Sequence, residues 1–211
     1  VFELNYDILA SELFGAAAET LKLFQKNNWR MDGGFLAVLH TWGRALNWHP
    51  HLHVLVSAGG RDCSSGKWRQ ARANYLFPVK NMSKVFGAIL LGRIEALDCR
   101  SAMCWPQSLE TLEARRDWRL NLATRNWNIF SRATLGNTRA VVRYLARYTS
   151  RIAISNQRIK RVDEQERTVS FEYKDYKDGE KTKEKTMGGG TFLRCFARHL
   201  VPTGFRRIRY F

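Results

Sequence analysis

The sequence predicts an α+β fold in which helices flank an antiparallel β-sheet that carries closely spaced histidines. Residues 35–42 and 48–56 are apolar, strand-like runs joined by a short connection. Consecutive strands joined in this way most often pair antiparallel. Residues 8–25, 79–97 and 140–152 instead place apolar side chains at the three- and four-residue spacing of helices.

The composition indicates one globular domain, spanning residues 1–211, with a strongly basic surface. Of the 211 residues 45% are hydrophobic, which is enough for one sizeable core. Lys and Arg outnumber Asp and Glu by 35 to 19, and the formal net charge of +16 favours a partner that carries phosphates. A basic ribosome-like surface or a protein that binds membrane surfaces would show the same excess.

Signals for targeting, cofactors and metal clusters are scarce. No apolar run is long enough to span a bilayer and nothing at the start resembles a signal peptide, so we expect a soluble, cytoplasmic protein without a membrane partner. The four cysteines contain no CxxC pair, which predicts reduced thiols. No P-loop or Rossmann glycine pattern is present, and we therefore expect no nucleotide cofactor. Because the chain begins at Val1 and ends at Phe211 inside strand-like segments, we also expect a fragment of a longer protein.

The local patterns assign most of the chain to elements. The first half predicts, in order, a helix over 8–25, a polar turn over 26–34, strands over 35–42 and 48–56, a loop over 57–65 and a helix over 79–97. The second half predicts a helix over 109–116, a strand over 126–130, a helix over 140–152, a hairpin over 157–162 and 168–175, a charged segment over 174–185, a glycine loop over 187–190, a helix from Thr191 and a basic strand-like tail over 204–211.

Three histidines alternate at the start of the second strand, and they are candidate metal ligands. His51 and His53 share one strand face about 6 to 7 Å apart, so both can reach one divalent cation. His49 lies on the same face and would join them if a bend at Pro50 brought it in, while a carboxylate or amide from a neighbouring strand is an equally open choice. Since no thiolates accompany the imidazoles, Mg²⁺ or Mn²⁺ is favoured over Zn²⁺.

Two tyrosines lie one helical turn apart in the predicted helix over 140–152. Tyr144 and Tyr148 share one face, and a second row at the same spacing contains Arg143, Arg147 and Arg151. An amphipathic helix with packed tyrosines and solvated arginines would show this pattern. The functional interpretation is that a phenolic oxygen attacks phosphorus while the arginines hold the DNA backbone.

These motifs together carry a resemblance to a known family. The His-hydrophobic-His run at His51 and the pair Tyr144 and Tyr148 resemble the signature of two-tyrosine HUH nucleases. The surrounding sequence is similar to rolling-circle transposases of the insertion-sequence-91 family, at residues 37–43 (AVLHTWG), 47–53 (NWHPHLH), 144–156 (YLARYTSRIAISN), 171–176 (FEYKDY), 192–194 and 201–210.

The resemblance implies a fold, a reaction and a set of site residues. It implies an HUH-type sheet with the tyrosine helix facing a metal held by His51 and His53, and with Tyr144 and Tyr148 as nucleophiles. The reaction would cut single-stranded DNA at transposon ends, leaving a 5′-phosphotyrosine and a free 3′-OH. Full-length members carry an N-terminal cysteine-rich, zinc-binding region, which this chain does not contain. Two alternatives share parts of the pattern: a relaxase or replication-initiator HUH enzyme, and a non-catalytic basic DNA-binding remnant of a transposase.

Overall fold

The computed structural model describes residues 1–71, 76–132, 137–149, 152–175 and 178–211. Over these residues it contains five α-helices: α1 (Tyr6–Phe24), α2 (Val79–Cys99), α3 (Leu112–Ala123), α4 (Thr138–Thr149) and α5 (Gly189–Ala197). It also contains nine strands: β1 (Met31–Asp32), β2 (Phe35–Trp42), β3 (Trp48–Val56), β4 (Gly59–Asp62), β5 (Trp68–Gln70), β6 (Ile159–Asp163), β7 (Thr168–Asp175), β8 (Lys181–Gly188) and β9 (Ile208–Tyr210).

The strands form three small sheets, each of three strands. Their orders are β1-β4-β5, β3-β2-β9 and β6-β7-β8. The first and third sheets are antiparallel throughout. In the second sheet, Phe35 and Phe211 exchange reciprocal backbone hydrogen bonds and Leu39 N–H donates to the Arg207 carbonyl, the descending register of an antiparallel pair. The predicted α+β class is confirmed.

The chain divides into two compact units that interleave in sequence. One unit comprises residues 1–37, 54–136 and 209–211, and the other comprises residues 38–53 and 137–208. All residues that the sequence proposed as candidate site residues belong to the second unit. The prediction of one domain over 1–211 stays a prediction.

The first unit contains an aromatic cluster where α1 ends and α2 begins. Phe24 and Trp29 contact the ring of Phe77 at centroid distances of 5.4 and 4.5 Å. Phe35 and Met82 are buried in the same cluster. Burial of these large apolar groups is the main stabilising contribution to this unit.

The second unit has its own core beneath the β6-β7-β8 sheet. Phe171 on β7 is completely buried and packs against Phe192 on α5, with ring centroids 5.9 Å apart. The same cluster contains Trp42 and Leu46 from the end of β2 and the turn that follows it. This core therefore anchors the hairpin that carries the candidate metal ligands.

Four predicted elements are wrong. Residues 126–130 form no strand: Trp127 packs against Phe86 of α2 and its carbonyl accepts a bond from Ser83, so the alternation marks an extended segment on a helix. The predicted loop over 57–65 contains β4, and the predicted charged segment and glycine loop contain β8. Both strands form because partner strands pair with them, which overrides their weak local propensity.

The described helices contain no membrane span. Among the residues whose structure is described, none of the helices is both long and apolar enough to cross a bilayer.

Candidate metal and tyrosine site

Three histidines from two paired strands meet in the second unit. His40 lies on β2 and is buried at 2% exposure, while His51 and His53 lie on β3 and are half-buried. One ligand nitrogen from each imidazole can be chosen so that all three lie within 4.8 Å of one another. The rings of His40 and His53 approach to 4.5 Å between centroids, and those of His51 and His53 to 5.0 Å.

Backbone carbonyls orient two of these imidazoles. His51 Nδ1 lies 2.7 Å from the His49 carbonyl oxygen, and His40 Nε2 lies 2.8 Å from the Tyr148 carbonyl oxygen. A carbonyl oxygen only accepts, so each of these ring nitrogens carries the proton. In the neutral imidazole the lone pair then sits on the other nitrogen, which is the arrangement found in histidines that bind metals.

Helix α4 places both tyrosines beside the histidines. Asn137 caps its N-terminus by accepting from the Ala140 N–H at 2.9 Å. The ring centroids of Tyr148 and His53 lie 4.0 Å apart, and those of Tyr144 and Tyr148 lie 4.4 Å apart. The two motifs, about ninety residues apart in sequence, are therefore neighbours in this unit.

The C-terminal end of α4 is held by two side chains. The His40 Nε2–H donates to the Tyr148 carbonyl, and the Arg207 guanidinium donates to the Thr149 carbonyl at 3.0 Å. Carbonyls in the last turn of a helix have no partner within the helix, and a cation there also complements the helix dipole. These contacts determine where the end of the tyrosine helix lies relative to β2.

A buried histidine supports the hairpin on which the cluster is built. His199 donates from Nε2 to the Leu46 carbonyl at 3.3 Å, and its Nδ1 lies 3.1 Å from the Thr41 hydroxyl, which donates to it. Its ring stacks on Trp48 at 5.8 Å and 9°. Leu46 lies in the turn between β2 and β3, so this hydrogen bond stabilises the connection between the two strands that carry His40, His51 and His53.

Comparison with known proteins decides the family. The family model described as "Putative transposase" matches residues 34–211, a range that includes every histidine and tyrosine named above. The chain belongs to the insertion-sequence-91 family of transposases.

Two curated relatives are similar to this chain over almost its whole length. It is 35% identical over 212 residues to "Putative transposase y4qJ" of Sinorhizobium fredii, covering 98% of this chain and 53% of the relative. It is 30% identical over 206 residues to "Transposase for insertion sequence element IS801" of Pseudomonas savastanoi pv. phaseolicola, covering 96% of this chain and 48% of the relative. The chain thus spans about half the length of these relatives. No solved structure matches it significantly.

The structure brings together four of the predicted site residues, namely His51, His53, Tyr144 and Tyr148. His49 is exposed, its ring lies 4.9 Å from that of His51, and it is not in the group with nitrogens within 4.8 Å. Arg143 is exposed on α4. The Arg147 side chain and the whole of Arg151 lie outside the described residues.

His40 is the site residue that the sequence analysis missed. It lies three residues before Gly43, and His51 lies four residues after Asn47, with a backbone bond from Gly43 to Asn47 closing the turn. Counting outward from that turn along an antiparallel hairpin places His40 opposite Pro50, next to His51 in sequence. The predicted strand pairing therefore indicated the neighbourhood of His40, and the structure shows that its ring lies beside those of His51 and His53.

The donor set of this site fits a divalent cation. Within the described part of the chain, the group contains three imidazoles and neither thiolate nor carboxylate. Three nitrogen ligands leave positions for water and phosphate oxygens, which are ligands that Mg²⁺ and Mn²⁺ prefer. The arrangement can therefore bring a cation, a phosphate and a phenol together.

Proposed function

We propose that this transposase cleaves single-stranded DNA at transposon ends and transfers the strand through a 5′-phosphotyrosine intermediate. The observation that carries the proposal is that the ring centroids of Tyr148 and His53 lie 4.0 Å apart. His53 itself belongs to a group of three histidines whose nitrogens have metal-binding spacing. A phenol beside such a group is the pairing that in-line attack on a phosphodiester requires. Membership of a transposase family favours transposition over plasmid transfer or replication initiation.

The covalent step conserves bonds and electrons. The phenolic oxygen of Tyr144 or Tyr148 forms a bond to phosphorus and loses its proton, while the bond from phosphorus to the 3′-oxygen breaks. The 3′-oxygen leaves as a hydroxyl after gaining a proton, and the 5′-phosphate stays on the tyrosine. Because the phosphotyrosine ester preserves the energy of the phosphodiester, the 3′-hydroxyl of another strand can displace the tyrosine later without a nucleotide cofactor.

The residues around the phosphate have distinct roles in this proposal. His40, His51 and His53 would hold Mg²⁺ or Mn²⁺, which when bound supplies Lewis-acid stabilisation of the phosphate charge. The carbonyls of Tyr148 and His49 keep His40 and His51 in the tautomers that leave one nitrogen unprotonated. His49, which the sequence also proposed as a ligand, contributes its carbonyl to that orientation.

Two neighbouring tyrosines suit a reaction with two strand ends. The rings of Tyr144 and Tyr148 lie 4.4 Å apart on one helix face, so one phenol can hold a cleaved end while the second attacks another strand. The phosphates on either side of the cleaved one would be held by Arg143, Arg147 and Arg151. This role is consistent with the net charge of +16. We expect the reaction in the cytoplasm, where the four free cysteines stay reduced.

The test is formation of a covalent protein–DNA adduct. The protein is incubated with Mn²⁺ and a single-stranded oligonucleotide carrying a transposon end, and adducts are resolved under denaturing conditions. We expect an adduct that EDTA abolishes and that disappears in the variant carrying both Y144F and Y148F. A matched Y173F variant, with its tyrosine on β7, should keep it. An adduct that survives in the double variant would refute the tyrosine assignment, and its absence with the wild type would favour a non-catalytic DNA-binding protein.

A further inference from the structure

An exposed tryptophan in the first unit stands on a strand surrounded by basic residues. Trp68, the first residue of β5, is 67% exposed, although burying an indole is strongly favourable. The surrounding sheet is short and well defined, and it lies in the unit that does not contain the histidine group. An exposed indole on a defined sheet face that also carries basic side chains is a candidate contact surface for a partner.

The register of the sheet shows which side chains share the face of Trp68. Arg61 on β4 is paired with Trp68 on one side and with Asp32 of β1 on the other, and directly paired residues share a face. Met31, on the opposite face, is buried, so the face of Trp68 is the solvent face. Arg61 is exposed. Lys67 is exposed too, but it precedes β5 and stands opposite Asp62 at the end of the sheet, so its side chain starts on the other face.

A glycine lies beside the indole. Gly59 lies two residues from Arg61 on the same face of β4, and a Cβ added there would lie 2.5 Å from the Arg69 carbonyl oxygen and 3.0 Å from one atom of the Trp68 ring. The close approach of the β5 backbone therefore requires glycine at this position, and the edge of the indole lies near it. No side chain at that position competes with a ligand for the ring.

The strand that carries Trp68 is fixed in place. Arg69 on the opposite face pairs with Asp62 at 3.0 Å and donates to the Trp29 carbonyl. The Asp62 carboxylate also accepts from the backbone of Ser64 and Ser65. Because its charge is satisfied inside this turn, Asp62 does little to repel an anion near Trp68.

The charges around the indole favour an anionic ligand. Arg30, Arg61, Lys67 and Arg69 are the nearby cations, and Asp32 and Asp62 are the nearby carboxylates. Within the described part of the chain, neither Arg61 nor Lys67 takes part in an ion pair. The Arg61 side chain can therefore contact a phosphate next to a base that lies on the indole, and the long, flexible Lys67 side chain can reach a second phosphate from the end of the sheet.

We propose that Trp68, Arg61 and Lys67 form a binding site for single-stranded DNA, in which an unpaired base stacks on the indole and the two cations contact its flanking phosphates. Aromatic stacking combined with basic side chains is the general mode of single-strand binding, and it tolerates any base because every base has a π face. The choice of DNA as ligand rests on the proposed function. The site itself requires neither the metal nor the tyrosines.

The test compares two DNA probes with equal numbers of phosphates. Binding of fluorescein-labelled oligothymidylate, and of the same backbone with abasic residues, is measured by fluorescence anisotropy in EDTA. We expect W68A to weaken binding of oligothymidylate by roughly tenfold and to leave binding of the abasic probe unchanged. W68F should retain most of the affinity, and L112A, which removes another exposed apolar side chain, should have no effect.

The charge arm of the test uses R61Q and K67Q. Each should weaken binding of both probes and reduce the slope of log affinity against log salt by about 0.7, the value for one phosphate contact on a single strand. Equal oligothymidylate binding by W68A and the wild type would overturn the inference, as would equal losses on both probes. A wild type that binds neither probe would also overturn it, whereas the proposed cleavage is judged separately by the adduct.

Discussion

The His40 imidazole donates from Nε2 to the backbone carbonyl of Tyr148 across 2.8 Å. His40 therefore belongs to two arrangements at once, since its other nitrogen can join His51 and His53 around a cation. Through this one ring, the strand that carries the candidate ligands is bonded to the helix that carries the candidate nucleophiles. Occupancy of the metal site and placement of Tyr148 are expected to depend on each other.

Removing His40 should weaken metal binding more than removing His49. We expect H40A to lower Mn²⁺ affinity at least tenfold, because it removes one of three nitrogens within 4.8 Å of one another. H49A should change the affinity little, since its carbonyl, which orients His51, is retained. Mn²⁺ titration followed by electron paramagnetic resonance measures both. A larger loss in H49A than in H40A would return His49 to the ligand set.

Arg207 should position the end of the tyrosine helix. R207A removes the bond to the Thr149 carbonyl and should lower the free energy of unfolding by about 1–2 kcal/mol, measured by urea denaturation. R206A removes the same charge from an exposed neighbour and should stay within about 0.5 kcal/mol of the wild type. Equal stability of the two variants would argue against the contact.

The core beneath β7 should be sensitive to loss of volume. F171A deletes a ring with 0% exposure and should lower the free energy of unfolding by about 3–5 kcal/mol, because it removes apolar burial and leaves a cavity. V162A is the matched control. It truncates an exposed side chain on the neighbouring strand β6 and should have little effect. Chemical denaturation of both variants measures the difference, and a mild effect of F171A would contradict the assigned core.

Stability in acid should depend on Asp62. Hydrogen bonds from the backbone of Ser65 and Ser64 hold the pKa of this carboxyl below its usual range. A lowered pKa in the folded state means that the carboxylate stabilises the fold above the unfolded pKa and that this contribution is lost as the pH falls through the folded value. D62N should therefore lower the urea midpoint at pH 6 and less so at pH 3.

The control for this prediction is D117N, at an exposed position of α3. We expect it to leave the difference between the midpoints at pH 6 and pH 3 as in the wild type. A D62N effect of the same size at both pH values would show that the carboxylate charge contributes nothing to the turn.

Much of the fold was predictable where local patterns and burial agree. The predicted strand over 35–42 has the bounds of β2, and helix α2 begins at the predicted Val79. The prediction failed at β4 and β8, whose glycines and charges have weak strand propensity and which are strands because of their partners. It failed at Trp127 because alternation alone does not distinguish a paired strand from a segment packed on a helix.

The sequence by itself determined the family, the basic character, and the two local pairs His51 with His53 and Tyr144 with Tyr148. These depend on spacings of two and four residues, which strand and helix geometry convert directly into shared faces. Only the tertiary structure decided that His40 joins the histidines and that Tyr148 lies against His53. Those contacts depend on strand register and on where α4 ends, and no repeat in the local sequence encodes either.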